Sequence, residues 1–193
     1  MNTTEFDVIV VGGGASGLMA AGRAAERGKK VLLVEKNKEL GEKLKITGGG
    51  RCNITNAEFD EHALLGNYGK AEQFLYSAFS QFGVNNTFSF FESKGLPLVV
   101  QARKRAFPQT ERALDVYNVL AKYIREGNVR VKTSSPVTHV VAESAHITSV
   151  VCGKEEYTAR SFIFATGGLS HGETGSTGDG FPWLAQLGHT VLK

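Results

Sequence analysis

The apolar positions along the chain change period several times, and each change marks an element. Residues 6–11, Phe-Asp-Val-Ile-Val-Val, form a nearly continuous β-branched run, the pattern of a strand buried on both faces of a parallel sheet. A glycine turn follows at once. From Ala15 to Arg27 the apolar and small residues Leu18, Met19, Ala21, Ala24 and Ala25 recur at helical spacing, and Gly28 stands where a helix-terminating glycine belongs. A second apolar run, Val31 to Val34, ends at Glu35. Together these predict a βαβ unit of about 30 residues.

Between Ala57 and Phe107 the pattern turns amphipathic and predicts two helices, 70–82 and 86–94, the second capped by Asn85 or Asn86 and terminated by Gly95. They read as an excursion from the sheet, and the basic run Arg103, Lys104, Arg105 reads as a solvated hairpin turn. A further helix from Glu111 to Glu126, with Thr110 as N-cap and Gly127 beyond its end, carries Ala113, Leu114, Tyr117, Leu120, Ala121 and Ile124 on one face. A strand at 129–133 follows. Three short strands, 137–142, 146–152 and 156–159, separated by Glu-Ser-Ala and Gly-Lys turns, predict a β-meander. Ser161 to Ala165 reads as another, separate buried strand, and after a glycine-rich loop Gly180 to Gly188 predicts a short helix with Leu184 and Leu187 inward. The fold class is therefore α/β: one doubly wound, Rossmann-like domain over 1–193, with a helical excursion at about 57–107 and a β-meander at about 137–160.

The glycine turn after the first strand, Gly12-Gly13-Gly14-Ala15-Ser16-Gly17, matches G-x-G-x-x-G in full context: strand before, helix after, and an acidic residue, Glu35, closing the next strand. Gly12 permits the tight turn, Gly14 lets the backbone approach a pyrophosphate, and Gly17 lets helix and strand pack closely. The pyrophosphate would then lie at the positive end of the helix. Glu35 would accept hydrogen bonds from the ribose hydroxyls and repel a 2′-phosphate, which favours FAD or NAD over NADP. The alternative is a glycine-rich turn that binds nothing.

Composition narrows the function classes. The 193 residues are 41% hydrophobic and 21% charged, the balance of a soluble globular chain, and the net charge of +3 predicts no attraction to nucleic acid or to an anionic membrane. Cys52 and Cys152 are too few and too separated for a disulfide framework, and the first apolar run is too short for a signal peptide, so a cytoplasmic location is expected. The histidines show no metal spacing, and no metal site is expected. The 23 glycines cluster at 12–17, 48–50 and 167–180, where main chain should approach something closely. Three glycines before Arg51 would let backbone pass a flat ring or diphosphate, with Arg51 supplying a cation for phosphate.

The run Gly48-Gly-Gly-Arg51-Cys52-Asn53-Ile-Thr-Asn56, supported by Phe107-Pro108, Ala165-Thr166-Gly167-Gly168 and Gly175-Ser-Thr177-Gly178-Asp179-Gly180, resembles the bacterial NAD(P)/FAD-dependent oxidoreductase family that includes the BaiN-like and YhiN-like flavoproteins. The resemblance covers the whole chain, but only the amino-terminal half of a typical member. It implies a flavoprotein oxidoreductase with FAD as cofactor. The implied FAD contacts are Gly12, Gly14, Ala15, Ser16 and Gly17, then Glu35 and Lys36, and the turn Gly50, Arg51, Cys52 and Asn53. They continue with Val137, the loop Ala165, Thr166 and Gly167, and the loop Thr177, Gly178 and Asp179. It further implies NAD(P)H as a candidate electron donor and a small organic molecule as substrate, with hydride or electrons passing between a reduced nicotinamide, or oxygen, and that substrate. Val137 could offer its backbone to the adenine edge.

Several alternatives stay open at this stage. Cys52 lacks a partner thiol five residues on, where Ala57 stands, so a buried structural cysteine is the default rather than a redox dithiol. Asp179 could cap the last helix as well as contact a cofactor. His171 lies in a glycine-rich loop without a partner, and no catalytic residue is assigned. The rival readings are a flavin-dependent tRNA-modifying protein and a nucleotide-binding fragment without catalysis. An apolar run starting after Gly188, in His189-Thr-Val-Leu-Lys193, predicts a beginning strand. The sequence therefore leads us to expect a missing C-terminal half or partner chain, with apolar surface around Phe162, Phe164, Phe181 and Trp183 left uncovered and weak FAD retention by these residues alone.

Overall fold

The computed structural model describes residues 5–143 and 146–191. In chain order the elements begin with β1 (Glu5–Val11), α1 (Ala15–Glu26), β2 (Val31–Val34), α2 (Glu42–Ile46), β3 (Thr55–Asn56) and α3 (Glu61–Leu65). After a 3-10 turn come α4 (Glu72–Gln81), α5 (Val84–Ser93), β4 (Leu98–Gln101), β5 (Arg105–Pro108) and α6 (Ala113–Glu126). The remainder is β6 (Arg130–Lys132), β7 (Val137–Glu143), β8 (His146–Cys152), β9 (Glu155–Phe164) and α7 (Gly180–Gln186). They form two compact units, one of residues up to Leu44 and from Leu120 onward, the other Lys45–Val119, with the boundaries falling inside α2 and α6.

The first unit is built on a six-stranded sheet of order β6-β2-β1-β9-β8-β7. β6, β2, β1 and β9 run parallel, and β8 and β7 add antiparallel. The expected fold class is thus the observed one, with the meander fused to the parallel sheet. Of the apolar runs read as buried strands, two are buried: all of Val31, Leu32, Leu33 and Val34 lie inside, as do Ile9, Val10 and Val11, whereas in Ser161 to Ala165 no residue is buried and Ile163 is exposed. A core of Phe6, Ile9, Val11, Leu32, Val34, Val150, Cys152 and Tyr157 fills one face, with Phe162, Phe164 and Trp183 packed against it. On α1, Gly22 faces the ring of Tyr123, where any side chain would collide, and Gly127 faces Ala25 in the same way.

One boundary differs in a way that matters. The segments read as two strands, 156–159 and 161–165, are the single strand β9, whose beginning pairs antiparallel with β8 (Ser149 opposite Thr158) and whose length pairs parallel with β1 (Val11 opposite Phe164). Arg160, the one residue between the two expected segments, is exposed, and the pairing of Ala159 and Ser161 with β1 runs past it unbroken. Residues 144–145 of the meander's first turn, and 192–193 of the run after Gly188, lie outside the described residues. Phe162, Phe164 and Trp183 are half-buried and Phe181 is exposed.

The second unit contains the expected helical excursion and also a three-stranded antiparallel sheet of order β3-β5-β4. The Arg103–Arg105 run is the β4–β5 hairpin turn, with Arg103 and Lys104 both at positive φ. α5 starts at Val84, two residues before the position expected. Its N-cap is Gly83, whose N–H donates to the Asn86 side chain at 3.0 Å, so the asparagine serves the cap from inside the helix. α6 starts at Ala113 rather than Glu111, because Glu111 holds a φ of 52° that no helix admits.

Candidate functional site: the carboxyl edge of the parallel sheet

The carboxyl ends of β1, β2 and β9 lie side by side, and the loops leaving them meet. The turn after β1 is pinned first. Gly12 N–H donates to the Val34 carbonyl at 2.8 Å, and Ala165 N–H donates to the Val11 carbonyl at 2.8 Å. A Cβ on Gly12, at φ 104°, would lie 2.5 Å from the Ala165 carbonyl oxygen, and one on Gly17 would overlap the Gly12 carbonyl. Gly14 differs: a Cβ there would meet nothing within 4 Å. Gly14 is the N-cap of α1, without a side-chain cap and with no acidic residue in the first turn, and Ala15 and Ser16 beside it are exposed. The helix therefore presents its first N–H groups to open space, the arrangement that receives an anion.

Glu35, at the end of β2, is 92% buried by its 8% exposure and is engaged on both oxygens. Oε2 accepts from Gly13 N–H at 2.6 Å, and Oε1 accepts from Asn37 N–H at 2.8 Å. The carboxylate thus fixes the glycine turn as well as its own, and keeps one further lone pair on each oxygen for a ribose hydroxyl. Lys36 reaches the other way: Nζ donates to Thr177 Oγ1 at 2.5 Å and to Asp179 Oδ2 at 2.7 Å. Thr177 in turn donates to Asp179 Oδ1 at 2.7 Å. Asp179 makes no side-chain cap to α7, so of its two expected roles the helix-capping one is corrected: its carboxylate is turned to Lys36 and Thr177. Burial pushes the Asp179 carboxyl up, and the Lys36 and Thr177 hydrogen bonds outweigh it, leaving the group below the usual aspartate range.

Asn37 is the residue that sequence reasoning missed. Its side-chain amide donates to the Thr174 carbonyl at 3.0 Å, its carbonyl accepts from Ser134 N–H at 2.8 Å, and it fills the space beside Gly175, where a Cβ would lie 2.6 Å from its amide nitrogen. Its one signal was position, two residues beyond a strand at the edge where ligands bind. Ser135 N–H donates to the Glu35 carbonyl at 2.9 Å, which brings the start of β7, and so Val137, to this end of the sheet. Gly167 lies against Ser176 and Gly180 against Thr166, so the Ala165–Gly167 and Thr177–Asp179 loops are fitted to each other.

The remaining expected residues, Gly50, Arg51, Cys52 and Asn53, belong to the second unit. Gly48, Gly49 and Gly50 have φ of 60°, 67° and 82°, a left-handed turn that glycine makes without strain, and Cys52 follows in the same region at 61°. Arg51 is committed within that unit: it donates to Glu111 at 2.5 Å and Gln101 at 2.7 Å and stacks 4.5 Å from the Phe107 ring centroid. Asn53, with its amide turned to satisfy its neighbours, donates to the Ala106 and Thr55 carbonyls. Cys52 is a free, buried cysteine, and burial pushes its thiol up to about 11. His171 is exposed, with Nδ1 2.9 Å from Glu173.

A parallel sheet flanked by α1, with a glycine turn, an open helix N-terminus and an acidic residue closing the second strand, defines a Rossmann-type dinucleotide-binding domain. The chain belongs to the family of the HI0933-like protein Rossmann domain, whose profile matches residues 6–193. Among curated relatives, it is 30% identical over 184 residues to the 3-dehydro-bile acid delta(4,6)-reductase of Clostridium scindens, covering 94% of this chain and 44% of that one. It is 28% identical over 188 residues to the ribosomal RNA dihydrouridine synthase of Escherichia coli, covering 97% and 46%. The chain spans a little under half the length of these relatives. In fold it is similar to Mycobacterium smegmatis Sdh1 in complex with UQ1, at a TM-score of 0.73 and 18% identity over 97% of this chain and 39% of that one. It is also similar to the 3-ketosteroid-delta4-(5alpha)-dehydrogenase of Rhodococcus jostii, at 0.65 and 19% over 86% and 46%. Among the described residues no helix is long and apolar enough to cross a membrane.

Proposed function

We propose that this chain is the FAD-binding part of a flavin-dependent oxidoreductase that passes hydride or electrons between a reduced nicotinamide, or oxygen, and a small organic substrate. The observation that carries it is the uncapped start of α1 at Gly14, open beside a glycine turn that Glu35 holds on one side and the Ala165 loop meets on the other. The residues fit a dinucleotide: α1 N–H groups for the pyrophosphate, Glu35 lone pairs for the ribose, and the Val137 backbone for the adenine edge. When bound, the flavin supplies the two-electron chemistry. The protein's part is position and field: Gly14 leaves room, the helix dipole offsets phosphate charge, and Glu35 opposes a 2′-phosphate. Gly50 to Asn53 are proposed as a further contact through main chain at the left-handed turn, since the Arg51 guanidinium is already partnered by Glu111.

The test is anaerobic reduction of the FAD-loaded protein. Bleaching of the flavin absorbance by NADH or NADPH, and its return on adding oxygen or an enone-type organic acceptor, is expected. A loaded protein that neither nicotinamide reduces, even slowly, would refute the donor assignment. A second reading, a flavin-dependent RNA-modifying protein, draws support from the relative named as a ribosomal RNA dihydrouridine synthase. Reoxidation by RNA uridines instead of small acceptors would favour it.

A further inference from the structure

The three residues after β2 divide their work: Glu35 fixes the glycine turn, Asn37 holds Thr174, and Lys36 holds Thr177 and Asp179. The segment 174–179 is otherwise tied by short-range turns, such as Thr177 N–H to the Gly175 carbonyl at 3.0 Å, and carries Gly175 and Gly178 at φ 94° and 76°. A segment of that composition has little intrinsic reason to hold one conformation. Among the described residues its long-range hydrogen bonds come from Lys36 and Asn37, beside the packing of buried Ser176 on Gly167. The Lys36–Asp179 contact is a salt bridge of 2.7 Å with the two side chains 26% and 37% exposed, so it is neither fully desolvated nor free in water.

We infer that Lys36 is a positioning residue and not a phosphate ligand: it latches the 174–179 segment to the end of β2 and cancels the charge of Asp179, so that the edge offers a dinucleotide one net carboxylate, Glu35, instead of two. The inference rests on the dinucleotide reading for its second half only. The first half concerns the protein without ligand. Geometry distinguishes the two roles, because the ammonium group has already spent donors on Thr177 and Asp179, while the α1 N–H groups at Gly14 stand open for an anion. Lys43, a further lysine of this unit, donates to the Ser170 carbonyl and not to Asp179.

The experiment is a double-mutant cycle with Lys36→Met and Asp179→Asn, alone and together, and with Lys36→Arg as the conservative variant, thermal melting confirming that each is folded. Hydrogen exchange of segment 174–179 is measured without ligand, and FAD affinity by titration. The latch predicts faster exchange in Lys36→Met, protection kept in Lys36→Arg, and a loss of FAD affinity of roughly tenfold or more that shrinks below about threefold in the Asp179→Asn background. A loss equal in both backgrounds would mean that Lys36 acts on the ligand directly, and unchanged exchange in Lys36→Met would overturn the latch. Should the parent protein bind no FAD, the dinucleotide reading falls, while the exchange data still decide the latch.

Discussion

At the scale of single residues, Glu35 shows how one buried side chain serves fold and ligand together. Its two oxygens accept the N–H groups of Gly13 and Asn37, so Glu35→Ala leaves one buried and one half-buried donor unsatisfied. We expect a loss of about 1–3 kcal/mol of stability in denaturant unfolding, together with weaker cofactor retention. A variant within a few tenths of the parent would mean that those N–H groups find water. Cys52 gives the opposite lesson, a residue in a signature motif whose chemistry is suppressed. Its buried thiol is held up to about 11 from 9.0, so it stays protonated at neutral pH, and the folded state binds the proton more tightly than the unfolded state. The stabilisation is therefore full below pH 9 and is lost as pH rises toward 11. Thiol titration of the native protein at neutral pH should show no fast-reacting group and two after unfolding, whether or not reductant was present. A fast native thiol, or a count that rises by two on reduction, would contradict this.

At the scale of elements, the three fingerprint glycines separate by what surrounds them. Gly12 and Gly17 are held against Ala165 and against each other, so a side chain at either should cost about 1–3 kcal/mol of stability. Gly14 sits in extended backbone at φ −77° with open space beyond it, so Gly14→Val should melt like the parent while losing dinucleotide binding in calorimetry. Unchanged FAD affinity in that variant would unseat the loop assignment. The βαβ unit was legible because it is local: strand, turn and helix each carry their own periodicity, and Glu35 follows at a fixed offset. The length of β9 was not, because the exposed Arg160 interrupts the apolar pattern and only pairing with β1 and β8 shows one strand. The β3-β5-β4 sheet was hidden for the same reason: strands of two and four residues have too little period to read. In the site, Lys36 and Asp179 were legible as residues but not as partners, since 143 positions separate them. Asn37 left no mark in the sequence beyond its place after β2.

At the scale of the molecule, the chain carries the parallel strands with their glycine turn in one compact unit and the Gly48–Asn56 signature in the other, over a little under half the length of its curated relatives. Activity and substrate belong to proposals about a protein of that larger size, whereas nucleotide choice can be tested on these residues directly. We propose that the carboxyl edge of the sheet selects FAD. The most direct measurement equilibrates the purified protein with an equal mixture of FAD, FMN, NAD and NADP, removes unbound nucleotide, and identifies by mass what heat releases. FAD is expected, because Glu35 opposes the 2′-phosphate of NADP, FMN lacks the pyrophosphate that the α1 N-terminus would receive, and the family match favours a flavin over NAD. Release of NAD or NADP in place of FAD, or of FMN alone, would contradict it.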